Sequence, residues 1–219
     1  MRLNPAAFNR HLDHIGQSFR WRKAFACPCV DQNSGSADYN CPRCHGQGVI
    51  WNSAVDAKAG VASQSVQTRW AQSGRWEDGD LVLSVQGSSP MWAMGIFDRV
   101  TSMNASDPFS MALVRGAPTE RLRFIMDSVQ RVFWYHQATG EIVEGKAPVQ
   151  AENGSLAWPD GGAPPDGMQY SLSGTKRLEY YVYDQLPRNR NEHHGARLPK
   201  AVVLRRFDLF GRGFNQGSA

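Results

Sequence analysis

Beyond about residue 51 the chain is cut into short runs in which apolar residues recur at every second position, separated by Gly, Pro, Asn and Asp. The run "GDLVLSV" sets Leu81, Leu83 and Val85 on one side of an extended backbone, and "RLRFIM" does the same with Leu122, Phe124 and Met126. Successive side chains of a strand point to opposite faces, so a period of two marks a strand with one buried face. "QRVFWYH", "GEIVEG" after a turn at residues 138–140, "KRLEYYVYD" and "AVVLRRFDLF" continue the series. After residue 25 no helical period is sustained long enough for alternating βα units. The predicted fold class is therefore mainly β, an antiparallel β-barrel or sandwich occupying residues 51–210. A chain of 219 residues can bury such a core.

The ends read differently. Residues 1–25 form an N-terminal arm whose residues 4–16 predict a short helix, with Asn4 as cap, Pro5 at the first helical position and Phe8, Leu12 and Ile15 on one face. Residues 211–219 read as a flexible C-terminal tail. Two loops interrupt the strands. "QAENGSLAWPDGGAPPDGMQ", residues 150–169, is too rich in Pro and Gly for strand or helix and is expected to be exposed and mobile, and "QLPRNRNEHHGARLPK" is polar and basic.

Charge follows the same division. Residues 1–26 carry five basic side chains against one acidic, residues 185–219 carry seven against two, and the stretch between carries twelve against seventeen. Basic ends on a mildly acidic body suit an acidic partner surface or nucleic acid, whose binding would weaken steeply with salt. They are also what solvated terminal arms look like. No run of eighteen apolar residues exists and the N-terminus lacks the apolar core of a signal peptide, so the expectation is a protein made and kept in the cytoplasm, without a membrane partner.

In that compartment cysteines stay reduced and read first as metal ligands. All four cysteines lie in "CPCVDQNSGSADYNCPRCHGQG": Cys27-Pro-Cys29 makes one pair, Cys41-Pro-Arg-Cys44 the other, and residues 30–40 connect them. Zinc takes four ligands in a tetrahedron, and structural sites bring together two such pairs. Residues 26–50 are therefore predicted to be a small zinc knuckle with Cys27, Cys29, Cys41 and Cys44 as ligands of a structural Zn2+. Gly46 and Gly48 follow the second pair, where the turn needs positive φ. A redox pair would want a thioredoxin-like βαβ context and leaves the first pair unexplained. His45 is the alternative fourth ligand. Four thiolates leave no open position for catalysis, whereas such an ion can contribute on the order of 10 kcal/mol to folding a loop poor in apolar residues. "CPRCHGQG" also resembles the Cys-x-x-Cys-x-Gly-x-Gly knuckle of DnaJ-type chaperones, in a single copy and without a J-domain signature, which makes it a likeness of one local turn.

No nucleophile motif, phosphate loop or dinucleotide fingerprint is present, so an enzyme is not expected. His193 and His194 read as solvated loop residues, Glu77, Asp78 and Asp80 as turn residues before a strand, and Trp70, Trp76, Trp92, Trp134 and Trp158 as core or interface anchors.

With the cysteine cluster ahead of a β-rich body, the chain resembles the neck proteins of tailed bacteriophages, of the head-tail connector or head-completion kind. The residues carrying the likeness are "FRWRKAFACPCVDQNSGSADYNCPRCHGQGVIW", "FDRVTSMN" with "FSMALVRG", "VQRVFWYHQATGEIVEG" and "YSLSGTKRLEYYVYDQLPRNRNEHHGARLPKAVVLRRFDLFGR". The resemblance implies a virion structural protein, made in the host cytoplasm. It would assemble as a homo-oligomeric ring between a portal or adaptor protein and a tail-terminator or tail protein, with genomic DNA in the channel. The β-rich body favours the stopper side, and the zinc module departs from a minimal stopper barrel. Loops at 150–169 and 186–199 are the channel candidates, with Arg188, Arg190, Arg197 and Lys200 as residues that would face DNA or a partner. Competing expectations are another tail or baseplate component, and a zinc-ribbon nucleic-acid-binding regulator using the basic ends.

Overall fold

The computed structural model describes residues 5–62, 64–72, 74, 76–136, 138–151, 154–185, 192–193 and 195–210. In chain order these form α1 (Pro5–Ile15), β1 (Gln17–Arg22), β2 (Ala24–Ala26), β3 (Val49–Trp51), β4 (Val55–Val61), α2 (Gln64–Ala71), β5 (Leu81–Val85), a 3-10 turn (Pro90–Ala93) and β6 (Arg99–Val114). There follow β7 (Met126–Tyr135), β8 (Ile142–Glu144), β9 (Val149–Gln150), β10 (Leu156–Ala157), β11 (Gln169–Gln185), β12 (Glu192–His193), β13 (Ala196–Arg197), β14 (Lys200–Arg206) and a last 3-10 turn (Phe207–Leu209). The fold is mainly β, with a short N-terminal helix. The chain divides into two compact units, Met1–Asn104 with Glu179–Ala219, and Ala105–Leu178. The division falls inside β6 and β11.

The first unit is a closed antiparallel barrel. Its strands pair in the order β14-β5-β4-β1-β6-β11, and β11 pairs back onto β14, which leaves no edge in the ring. Closure explains the burial. Phe19, Val85, Val100, Val182 and Val202 are fully buried, and Leu83 opposite Val202 with Leu204 opposite Leu81 keeps one face of β5 and β14 turned to the same core. The other face of this pair is also covered: Val82 lies opposite Val203, and Ala62, Val66, Trp76 and Tyr183 pack over them. Val66 belongs to α2, a two-turn helix for which the sequence carries no sustained period.

The N-terminal helix forms as predicted over Pro5–Ile15, while the Asn4 cap and the Phe8 side chain lie outside the described residues. Leu12 is 4% exposed and docks over Gly60 of β4; a Cβ at Gly60 would sit 2.5 Å from Leu12 Cδ2. Ile15 is a correction to the expected apolar face, being 57% exposed. The helix ends where Gly16 N–H donates to Leu12 O.

In the second unit, β11 pairs with β7 and β7 with β8, and just beyond the end of β6 and the start of β11 the chain is joined by Arg115 N–H to Met168 O and Gly167 N–H to Arg115 O. Leu113, Leu122, Val132, Trp134, Leu156, Tyr170 and Leu172 form its core. Two expectations change. "RLRFIM" is not a strand along its length: β7 starts only at Met126, and Arg121 makes an isolated bridge to Ser155. The segment 150–169 is not simply exposed, because β10 pairs with β9, Leu156 is buried and the Trp158 ring meets Tyr170 edge-on at 5.3 Å.

Candidate metal centre

The cysteine module is built out from the barrel wall. β2 and β3 pair as Ala24↔Trp51, Phe25↔Ile50 and Ala26↔Val49, and Cys27 N–H to Gly48 O at 2.8 Å continues that ladder into the first cysteine. Val30 N–H returns to Cys27 O, which turns the backbone so that Cys29 comes back beside Cys27. The connecting loop is organised by Asp31. Its Oδ1 accepts from Asn33 N–H, Ser34 N–H and the Ser34 hydroxyl, and these donors, led by Ser34, hold the carboxyl below its ordinary value. A bridge between Val30 and Ala37 then closes the loop.

The second pair sits on a turn made by Cys41 N–H to Asp38 O, His45 N–H to Cys41 O and Gln47 N–H to Cys44 O. This turn needs three residues at positive φ: His45 at 49°, Gly46 at 81° and Gly48 at 72°. Glycine meets that demand without strain at two of them, and His45 adopts it at a cost. His45 is exposed and lies outside the sulfur cluster.

The four sulfurs lie within 4.8 Å of one another, with Cys27 Sγ to Cys41 Sγ at 3.8 Å and Cys29 Sγ to Cys44 Sγ at 3.4 Å. A tetrahedral ion with bonds of about 2.3 Å holds its sulfurs about 3.8 Å apart, so the cage fits one ion. Disulfides need about 2.05 Å, and all four cysteines are free thiols. Cys27, Cys41 and Cys44 are 3%, 7% and 2% exposed, and Val30, Ala37 and Ile50 pack against them. The N–H groups of Cys44 and Arg43 bring the Cys41 thiol down to about 6, which favours the thiolate a metal requires, whereas burial and the neighbouring Cys44 sulfur push Cys29 up to about 12. The arrangement can hold a metal ion among four sulfurs, and the module's few apolar residues leave the cage as its principal core.

Two supports of this module escape a reading of local sequence. Asp98 is fully buried: its Oδ2 accepts from Trp21 Nε1 at 2.8 Å and Gly95 N–H at 3.0 Å, with Lys23 Nζ at 3.4 Å, while Oδ1 accepts from Ala24 N–H at 2.8 Å. One carboxylate thus ties the barrel to the first residue of β2. On the other side Trp51, the last residue of β3, donates from Nε1 to Phe97 O and meets Phe207 and Phe210 edge-on at 5.4 and 5.7 Å. Phe210 also meets Tyr181 at 5.0 Å, and the Arg99 guanidinium lies 4.2 Å from the Phe207 ring centre. The C-terminal turn is therefore a clasp between barrel and module.

The basic candidates separate. Arg188 and Arg190 lie outside the described residues, as does the tail 211–219. Arg197 is exposed, with its guanidinium 4.8 Å from the Trp92 ring centre. Lys200, expected to face DNA or a partner, is only 8% exposed and donates from Nζ to Met94 O at 2.8 Å; burial lowers its pKa, with Lys23 adding to the effect. Asp80, read as a turn residue, is 4% exposed and grips Arg205 in a two-pronged ion pair at 3.1 and 3.0 Å. That pair also removes one cation from the basic C-terminal segment. No protein-family model matches the chain, and no curated protein matches it.

Proposed function

We propose that this chain is a structural protein of a tailed-phage virion, a ring-forming component of the neck between portal and tail, and that its four cysteines hold a structural zinc ion. The observation that carries the reading is the closed six-stranded barrel of the first unit, with a cysteine-caged module projecting from between β2 and β3. The ring of strands in the first unit has no edge through which copies could pair, so its contacts in a ring fall to α1, the module and the loops, while the sheet of the second unit ends in the edge strand β8. The sequence likeness to neck proteins supplies the kind of particle. Zinc is favoured among metals because four sulfurs in a closed tetrahedral set suit zinc or an iron-sulfur centre, and a cage for a single ion suits zinc.

A structural role accords with how the buried carboxylates are used: Asp80, Asp98 and Glu179 are each engaged by a cation, respectively Arg205, Lys23 and Arg99. The module itself carries Asp31 and Asp38 against Arg43, so in the regulator reading the attraction for phosphate falls to the basic ends alone. Particles assembled without this chain test the proposal. Electron microscopy should show DNA-filled heads separate from finished tails. Intact, infectious particles would contradict it, and strongly salt-dependent binding of the purified chain to free DNA would favour the regulator.

A further inference from the structure

We infer that the second unit carries a self-association surface, in which β8 of one copy adds to the open edge of β6 in the next. The sheet of that unit runs β6-β11-β7-β8. At the β8 end, His136 N–H donates to Glu141 O and Gly145 N–H to Val132 O, so strand alternation turns the backbone groups of Ile142 and Glu144 away from β7. At the β6 end, β1 pairs only over residues 99–102, and among the described residues no strand pairs on that side of residues 109–113. Arg115 spends both its N–H and its C=O on the start of β11. By the same alternation Leu113 and Met111 face β11, and the backbone groups of Ala112 and Ser110 point to the open side. Pro108, with no N–H to give, limits the stretch.

The two edges fit each other, which makes a second copy the occupant. β6 runs antiparallel to β11, because the chain just past β6 meets the start of β11, and β7 and β8 continue the alternation. Rotation about an axis along the strands keeps their directions, so β8 of one copy meets β6 of its neighbour antiparallel. Setting Val143 opposite Met111 brings Ile142 to Ala112 and Glu144 to Ser110, where each pair can exchange its backbone bonds and no like charge faces Glu144. Side chains fall on matching faces. Val143, Phe109 and Met111 are the half-buried rims of one core, and the added strand covers both. On the other face Ile142, 51% exposed, is shielded by Ala112 and Val114, themselves exposed. Two-fold pairing of β8 with β8 would set Ile142 against Glu144, and two-fold pairing of β6 with β6 would leave β8 open. That the contact runs head to tail and closes rests on the ring proposed above.

The test places the photo-crosslinking residue p-benzoylphenylalanine at position 142 of the full chain, mixes isotope-labelled with unlabelled copies, irradiates them and maps the linked peptides by mass spectrometry. Links from position 142 of one copy to residues 109–114 of another are expected, and sedimentation of the unsubstituted chain should show species larger than a dimer. Ile142→Lys and Ala112→Lys each put a charge on one edge at an exposed position, and each is expected to weaken association about tenfold. A chain that stays monomeric, links confined to one copy, links to any surface other than 109–114, or unchanged association in both lysine variants would overturn the inference. Copy number in particles reads the neck proposal separately: a neck ring with links elsewhere loses this contact alone, and these links in a chain absent from particles lose the neck alone.

Discussion

Single side chains decide where charge is tolerated inside this protein. Asp80 and Arg205 are 125 residues apart in sequence and meet as a buried pair, so Asp80→Ala removes the carboxylate that the buried guanidinium grips beside Tyr183 and is expected to cost about 3–5 kcal/mol in urea unfolding. Glu120 tells the same story with pH. Burial opposes its charge, but Gly116 N–H, the Tyr170 hydroxyl and the Arg115 guanidinium outweigh that and hold its carboxyl below the usual range. Its folded value being depressed, its contribution is complete above the unfolded value near 4.3 and is lost as pH falls through the folded one. Glu120→Gln should therefore cost about 1.5–3 kcal/mol at neutral pH and much less at acid pH, a convergence that denaturation curves at several pH values would show. None of this was legible in the sequence. "WEDGD" looks like turn chemistry because a turn is there, and the partner that makes Asp80 structural comes from the last strand. Lys200 misled for the same reason, since a lysine beside a polar loop gives no sign that Met94 O waits for it.

At the scale of elements, legibility followed locality. α1, β5, β8 and the cysteine knuckles were readable because helix start signals, period-two runs and ligand spacing are each contained within a few residues. β6 was not, since Asp107 and Pro108 break the apolar pattern; yet β1 pairs with β6 only over Arg99–Ser102, so Pro108 faces no ladder partner on that side. The module's folding is predicted to hang on its sulfurs: Cys41→Ser with Cys44→Ser should abolish metal content by elemental analysis. Hydrogen exchange should then rise across residues 26–50 while the barrel strands stay protected. The C-terminal clasp makes a separate prediction. Phe210→Ala removes ring contacts with Trp51, Phe97 and Tyr181, and is expected to cost up to about 3 kcal/mol and to speed exchange at β3. Unchanged exchange at β3 would mean that Asp98 and the β2–β3 ladder suffice.

For the whole molecule, the predicted class stands, but the order of strands around the barrel was beyond the sequence. Closing it places β14 beside both β5 and β11, pairings between segments more than a hundred residues apart or separated by a long loop, which no local pattern encodes. That closure also underlies the proposed function, in which α1, the module, the loops and the β8 edge of the second unit are the surfaces left for ring contacts. The copy number of this chain in purified particles of its source, measured by quantitative mass spectrometry against the portal protein, tests the claim most directly. A closed cyclic ring in the neck requires about six or about twelve copies per particle. Absence from the particle would contradict the account.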